Sequence, residues 1–535
     1  MFESKVKDRY LQWGLTLLLV LVTGFFLRGI WKVNIDAFAM FCNTDMYLDT
    51  LIAKLMWEQK TLFPDGWIFG NQYYVIATPV LCSLIYGIVG DLNFAMGLAS
   101  CIMTGLVLSA FVWMIWPCVE RKTSILLGVL TLLACIVCEK PYYDLMAQLF
   151  FVMCSYYACY LALAFFVWGQ YIRLKKNDQK TKKKNVCIFA VSAVLSFCAG
   201  MHSIRQMIVM IAPMCVIEGI CLMWNWWKKN DVMIDSFWYT VLVTLSNIFG
   251  ILFIKMLKIP QRVIYGSTDL VGGKDEIMAN LYHTINVTKE VIGYRVSDEF
   301  WITVLSVFSI MIVICAAVQC VREVRRKTSL AEVYLLCALS IGVIVLGKLF
   351  THMELRHTYL FMWFPLISIS VVCFFEMCHS RNYVLCALVL VLFSCKSYGL
   401  SYGQLEQEME IYRSRWEESV DTANWMVDEG FDTVYGLWDV ASKVAVASNG
   451  SVKAACWSSE TESDIFYIEP FLIDTKLLDD SGMDRSIYMI SLENEDVFLR
   501  SAQSRGASVR QLREMPQLGC KLYISTKHLV YSEKP

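Results

Sequence analysis

The stretch CNTDMYLDTLIAKLMWEQKTLFPDGWIFGNQYYVIATPVLCSLIYGIVGD, residues 42–91, decides the reading of this chain. It follows the first strongly apolar segment and carries carboxylates into a sequence that is otherwise mostly hydrocarbon. Leu48, Leu51, Ile52 and Leu55 recur at helical spacing and predict a helix over residues 44–60. Asp45 and Asp49, four apart, then share one face of that helix. PDGW (64–67) and GNQYY (70–74) are turn chemistry with aromatics, and Thr78-Pro79 opens a second apolar run that closes at Gly90-Asp91.

Outward from this stretch, apolar segments recur along the chain. Of its 535 residues 57% are hydrophobic and only 18% charged, so one soluble domain is excluded. Runs at 11–30, 93–117, 123–138, 146–170, 186–203, 207–225, 236–257, 300–320, 331–350, 359–377 and 382–399 predict an α-helical polytopic membrane protein of about eleven spans. The first run follows Lys5, Lys7 and Arg9 without a small-residue cleavage site, and is read as a retained span. The 21 cysteines lie mostly inside these runs, where they are small core residues.

Residues 74–90 set the orientation. If they do not cross, Lys5, Lys7, Arg9, Arg121, Lys122, RLKKNDQKTKKK (173–184), Lys228, Lys229, Arg322 to Lys327 and Arg381 fall on one side, which is then the cytoplasm. If they do cross, the lysine-rich loop lies outside, against the charge rule. We therefore read 74–90 as an interfacial or re-entrant helix. The expectation is a multi-pass plasma-membrane protein with a cytoplasmic N-terminus. Its outer loops are 31–92, 139–145, 200–206, 258–299 and 351–358, with everything after about residue 400 also outside.

The composition changes there. Residues 1–400 read as the transmembrane domain, with 31–92 as its first outer loop, and 401–535 as a small extracytoplasmic α/β domain. Within the latter, 414–429 reads as a helix, TVYGLWD, SIYMISL and CKLYISTK as strands, and VAVASNGSVKAACW as a β-hairpin turning at Asn449-Gly450. Cys456 and Cys520 are its two cysteines and leave a disulfide open.

A net charge of −1 gives no bulk attraction to nucleic acid. No phosphate-binding loop, nucleotide fingerprint or His/Cys metal array is present in the sequence, so no cofactor is assigned; the carboxylates could bind Mg²⁺ or Mn²⁺, but no array specifies one. The chemistry-bearing residues gather on the outer loops: Asp36, Asp45, Asp49, Glu139, Asp144, His202, Arg205, His352, Glu354 and Arg356, with Lys348 one turn below the last. A carboxylate at a membrane surface can take the proton of an attacking hydroxyl. Arg356, in HMELRHTYLFMWFP, offers a guanidinium fork for a phosphate, and Lys348 and Arg205 lie at comparable depth. Membrane lipids are the partners the composition itself requires.

One span, an acidic outer loop running into TPVLCSLIYGIVGDLNFA, many further spans, GMHSIRQMIVMIAP and a late arginine before a proline together resemble the GT-C superfamily of membrane glycosyltransferases. Protein O-mannosyltransferases and the aminoarabinose transferase of lipid A belong to it. The resemblance implies inverting transfer of a sugar from a polyprenyl-phosphate donor to a glycan or lipid acceptor on the outer side, in cell-envelope glycan assembly. It implies Asp45, Asp49 or Asp36 as base and Arg356 as the phosphate-binding arginine. The adjacent acidic pair of such families is here spread as DMYLD, and their Arg-Tyr is here Arg356-His357-Thr358-Tyr359. A flippase for lipid-linked sugars would also need outer cations, though without the internal repeat expected of a transporter. An inactive glycan-binding scaffold would tolerate loss of the aspartates.

Overall fold

The computed structural model describes residues 2–42, 44–134, 157–176, 182–228, 234–262, 269–291, 300–326, 328–352, 355–378, 380–460, 465–468, 472–478 and 486–531. Glu139, Asp144 and Glu354 lie outside the described residues. The helices in order are α1 (Phe2–Phe41), α2 (Thr44–Gln59), α3 (Thr78–Val89), α4 (Leu92–Ile115), α5 (Lys122–Ala134), α6 (Ala158–Lys175), α7 (Lys182–His202), α8 (Ala212–Lys228), α9 (Ile234–Met256), α10 (Lys274–Val291), α11 (Phe300–Arg326), α12 (Ser329–Phe350), α13 (Leu355–Met377) and α14 (Ser380–Asp428). Two more, α15 (Trp438–Ala447) and α16 (Glu495–Ser504), lie among the C-terminal strands. Among the described residues six helices are long and apolar enough to cross a membrane, and four further apolar helices are shorter. α3 is one of the shorter four: its 12 residues extend roughly 18 Å, well short of a ~30 Å hydrocarbon core.

The chain divides into two compact units. The first comprises Met1–Trp31, Ile102–Met256 and Tyr265–Leu405. Its apolar core joins Leu15, Leu19 and Phe26 of α1 to Leu127 and Leu130 of α5, Val371 and Phe375 of α13, and Tyr383 and Leu390 of α14. α7 and α9 approach so closely that a Cβ on Gly200 would meet the Asn247 carbonyl at 2.1 Å, and one on Gly250 the Phe197 carbonyl at 2.0 Å. Small residues at a helix crossing allow this, and Ser196 Oγ donating to Val243 O and Asn247 Nδ2 donating to Ser196 O stitch it together.

The second unit comprises Lys32–Cys101, Leu257–Ile264 and Glu406–Pro535. Its centre is a seven-stranded sheet of β7 (Val509–Met515), β8 (Cys520–Ser525), β6 (Ser486–Ser491), β2 (Thr433–Leu437), β3 (Lys453–Glu460), β4 (Ile465–Ile468) and β9 (Val530–Tyr531), in that spatial order. β2 pairs parallel with both β3 and β6, while β8 runs antiparallel to β6. The other two strands, β1 (Trp67–Ile68) and β5 (Ile473–Asp474), pair antiparallel, tying the first loop to the C-terminal module. Thr475 N donates to Gly66 O alongside this pair.

Several expectations are corrected by these elements. The Asn449-Gly450 turn closes a helix, not a hairpin: α15 precedes it and β3 follows. Parallel neighbours such as β2 and β3 require a crossover, and Ala441, Val444 and Ala445 bury at helical spacing to supply one. Asn449 at φ 55° and Gly450 at φ 71° then end the helix in the left-handed region. Asp36 is not in a loop, because α1 continues to Phe41 through residues 31–41, which hold no Gly or Pro. α14 passes residue 400 without a break. Cys456 and Cys520 are both free and buried, on strands separated by β2 and β6.

Candidate functional site

α2 forms as its sequence predicts, with Asp45 in its first turn. The corner between α1 and α2 is held by Tyr47, whose hydroxyl donates to Ala39 O at 2.5 Å. Asp45 is partly exposed, whereas Asp49, one turn on, is 0% exposed. No hydrogen bond of good geometry reaches either Asp49 carboxylate oxygen. Burial pushes its carboxyl well above the usual carboxylate range; the poorly aligned Tyr74 hydroxyl offsets only part of this, and the nearby Asp45 charge adds to it. The two aspartates therefore have different environments: one reaches solvent, the other is sealed. Asp36 sits exposed on α1.

The walls around Asp49 come from several segments. Cys42 precedes α2, Tyr74 stands in the segment before α3, and Cys82 lies in α3; all are buried. Phe63, Phe69, Tyr73 and Tyr74 form a connected aromatic group behind them. Phe69 is fixed by two backbone bonds, its N to Pro260 O and its O from Arg262 N, and Tyr73 Oη donates to Gln261 Oε1. Asp49 is thus enclosed by segments whose backbone is tied down at Phe69.

α15 of the C-terminal module packs directly on α2. Lys443, on α15, is 8% exposed and its Nζ stands 5.9 Å from the Tyr47 ring centroid. Sequence reasoning missed Lys443 because it falls in residues 440–443, between TVYGLWD, read as a strand, and VAVASNGSVKAACW, read as a hairpin. The signal was available: in WDVASKVAVA the lysine falls among apolar residues at helical period, on the face that buries. Lys54, further along α2, donates to the carbonyls of Asn449 and Gly450, each at 2.9 Å.

The predicted phosphate-binding cations belong to the first unit. Arg205 lies between α7 and a π-helical turn, Met207–Ile211, and its guanidinium stands 5.1 Å from the Tyr157 ring. His202 is buried beside it in sequence, edge-on to Tyr160. Lys348 is in the last turn of α12, its carbonyl accepting from Asn280 Nδ2 at 3.0 Å. Two sets of contacts fix their relation: Ser340 Oγ donates to Val209 O, while Lys175 bridges Glu218 and Glu332 at 3.4 and 3.8 Å. Residue 209 thus faces 340 and 218 approaches 332, so α8 and α12 are antiparallel. Arg205 and Lys348 consequently lie toward the same end of this unit, opposite the Lys175 network. The backbone of Arg356 is in the first turn of α13. His352 is exposed, its N–H donating to Asp269 O. Among the described residues no group of three or more His, Cys, Asp or Glu is placed to hold a metal.

No family model matches the sequence, and no curated protein matches it. In structure the chain is similar to ArnT from Cupriavidus metallidurans, solved by crystallography bound to undecaprenyl phosphate. The TM-score is 0.54 over 96% of this chain and 98% of that one, at 10% sequence identity. The fold is therefore that of ArnT, in a multi-pass α-helical membrane protein with a small C-terminal α/β module.

Proposed function

We propose that this protein is a membrane glycosyltransferase that moves a sugar from a polyprenyl-phosphate donor to a glycan or lipid acceptor on the outer side of the plasma membrane, in cell-envelope glycan assembly. The observation that carries the reading is near full-length similarity in fold to ArnT, whose crystal structure holds undecaprenyl phosphate. Asp45 and Asp49 on α2 add a chemical reason for it.

In this reading an acceptor hydroxyl attacks the anomeric carbon of the donor. Its proton passes to a carboxylate as the new C–O bond forms, the bond from sugar to phosphate breaks, and the polyprenyl phosphate departs as an anion. Attack opposite the leaving group inverts the anomeric centre. Asp45 is assigned as the base: it is partly exposed and sits in the first turn of α2, where the helix dipole favours the ionised form. Asp49, sealed and biased toward its protonated form, is assigned a supporting role beneath it. Asp36, exposed on α1, is the third carboxylate of this assignment. Arg356, Lys348 and Arg205 are assigned to the phosphate, whose leaving charge they stabilise. The N-terminus is placed in the cytoplasm and the C-terminal module outside.

Transfer of radiolabelled sugar from a panel of polyprenyl-phosphate sugars, in membranes holding wild type, Asp45→Asn, Asp49→Asn or Arg356→Ala, tests this. Turnover by wild type that falls at least about 100-fold in Asp45→Asn and collapses in Arg356→Ala is expected. Flipping or binding of lipid-linked sugar that ignores the aspartates, with no transfer from any donor, would replace the enzyme by a transporter or scaffold.

A further inference from the structure

We propose that Lys443, contributed by the C-terminal module, is the counter-charge of the acidic end of α2 and a positioning residue for the chemistry there; its catalytic consequence rests on the function proposed above. Three observations meet at this point. First, α2 and α15 run side by side in the same direction, because Lys443 approaches Tyr47 while Lys54 reaches Asn449 and Gly450. The amino end of α15 is thereby brought to the end of α2 that carries Asp45 and Asp49. Second, Lys443 is buried, and a buried ammonium is strongly disfavoured unless negative charge or hydrogen bonds compensate it. Third, the buried Cys42 thiol lies within electrostatic reach of both Lys443, which favours its ionisation, and Asp49, which opposes it. Lys443 and Asp49 therefore act on the same buried thiol.

Other ionisable groups on the packed elements are few. Asp439 lies one turn before Lys443 on α15, Tyr47 lies between Asp45 and Asp49 in sequence, Lys54 and Glu58 are further along α2, and Cys456 lies on the sheet face beneath α15. Lys54 is already engaged with the carbonyls ending α15 and with Glu58, 3.8 Å away. Lys443 is thus the cation of α15 nearest the amino end of α2. Neither helix would reveal the pairing alone, since one belongs to the first loop and the other to a module almost 400 residues later.

The sign follows from the charges. Removing Lys443 beside an ionised carboxylate leaves that carboxylate uncompensated; removing it beside a protonated one leaves nothing unpaired and relieves a buried cation. Unfolding midpoints in detergent at pH 5 and pH 9 for wild type, Lys443→Met, Asp45→Asn, Asp49→Asn and the two double variants read this directly. The expected result is that Lys443→Met lowers the midpoint at pH 9 by several degrees more than at pH 5. That difference should vanish when Asp45 is already replaced by Asn and persist in the Asp49→Asn background, and Lys443→Arg should retain the wild-type pattern. A loss equal at both pH values and unchanged in the Asn backgrounds would make Lys443 a packing residue and overturn the proposal. In transfer assays, Lys443→Met should move the acidic limb of the pH profile upward by about one unit, a roughly tenfold loss of kcat below it, with the donor KM held. Coupled midpoints in a wild type that transfers no sugar would uphold the counter-charge while overturning the positioning role together with the proposed enzyme. Should Lys443→Met not fold, Lys443→Gln is read in the same way.

Discussion

Lys54 Nζ donates to the carbonyls of Asn449 and Gly450, each at 2.9 Å, so a helix of the first loop caps the C-terminal end of a helix in the C-terminal module. Asn449 reinforces the joint from the other side: its Oδ1 accepts from Leu92 N at 2.9 Å and its Nδ2 donates to Gly90 O at 2.8 Å. Asn449 therefore does three things: it ends α15 in the left-handed region, holds the turn between α3 and α4, and presents its carbonyl to Lys54. Asn449→Ala loses two side-chain bonds and adds backbone strain, and should destabilise the protein by about 1–3 kcal/mol. Asn449→Gly, which keeps the backbone freedom, should recover part of this. Thermal unfolding in detergent checks both, and equal midpoints for wild type and Asn449→Ala would show that the joint contributes nothing.

The apolar helices of the first unit were legible because hydrocarbon thickness imposes a length and apolarity that sequence displays directly, whereas α10, polar and inside residues 258–299, was read as loop. α2 was legible because Leu48, Leu51, Ile52 and Leu55 keep helical period. α15 was not: VAVASNG alternates small and branched residues, Asn-Gly is a strong hairpin signal, and only the parallel pairing of β2 with β3 demands a helix there. That long-range constraint is invisible locally, and with it went Lys443. The end of α1 was misplaced for a related reason. The apolar run ends near residue 30, yet Asn34 beyond it is buried, and a Cβ on Gly97 would meet its carbonyl at 2.1 Å, so tertiary packing carries the helix onward.

Asp49 should make stability fall with rising pH. Its folded-state carboxyl is raised by burial above the unfolded value, so its contribution is complete below the unfolded pKa and is lost as pH rises through the folded one. Asp49→Asn, which cannot ionise, should match wild type near pH 4 and exceed it at pH 8. Each kcal/mol recovered should raise the midpoint by roughly 2–4 °C if the unit unfolds as a domain of 150–250 residues. Midpoints measured across pH 4–8 decide it; a variant less stable than wild type at pH 8 would mean that the carboxylate is ionised and compensated in place.

Gly200 and Gly250 face each other's helix through backbone carbonyls, which cannot move aside as a side chain can. Gly200→Leu or Gly250→Leu should separate α7 from α9 and break the bonds from Ser196 and Asn247, at about 1–3 kcal/mol for overpacking and more where a buried amide is left unpaired. Gly219, with open space around its Cβ position, is the internal control, and Gly219→Ala should be neutral or slightly stabilising. Yield of monodisperse protein and its melting temperature distinguish these outcomes. Comparable loss at all three positions would point to general intolerance of the membrane helices, not to close packing.

The antiparallel pairing of α8 with α12 separates two sets of charges that the sequence alone could not sort. Lys175, Glu218 and Glu332 at one end form a closed network in which Tyr171 Oη also donates to Glu218 at 2.5 Å. Arg205 and Lys348 lie toward the other end, where the proposed function needs cations for a phosphate. The two sets should answer mutation differently. Lys175→Met strands the buried Glu218 beside the half-buried Glu332 and should cost about 3–5 kcal/mol of stability, leaving the affinity of the surviving folded protein for undecaprenyl phosphate unchanged. Arg205→Ala and Lys348→Ala should leave the melting temperature nearly unmoved and weaken that binding by roughly 10- to 100-fold each. Arg205→Lys should rescue only partly, because a point charge does not reproduce a guanidinium fork. Equilibrium binding of the lipid phosphate to purified variants, read beside their melting curves, separates the cases; unchanged affinity in both Arg205→Ala and Lys348→Ala would remove these two cations from the donor site.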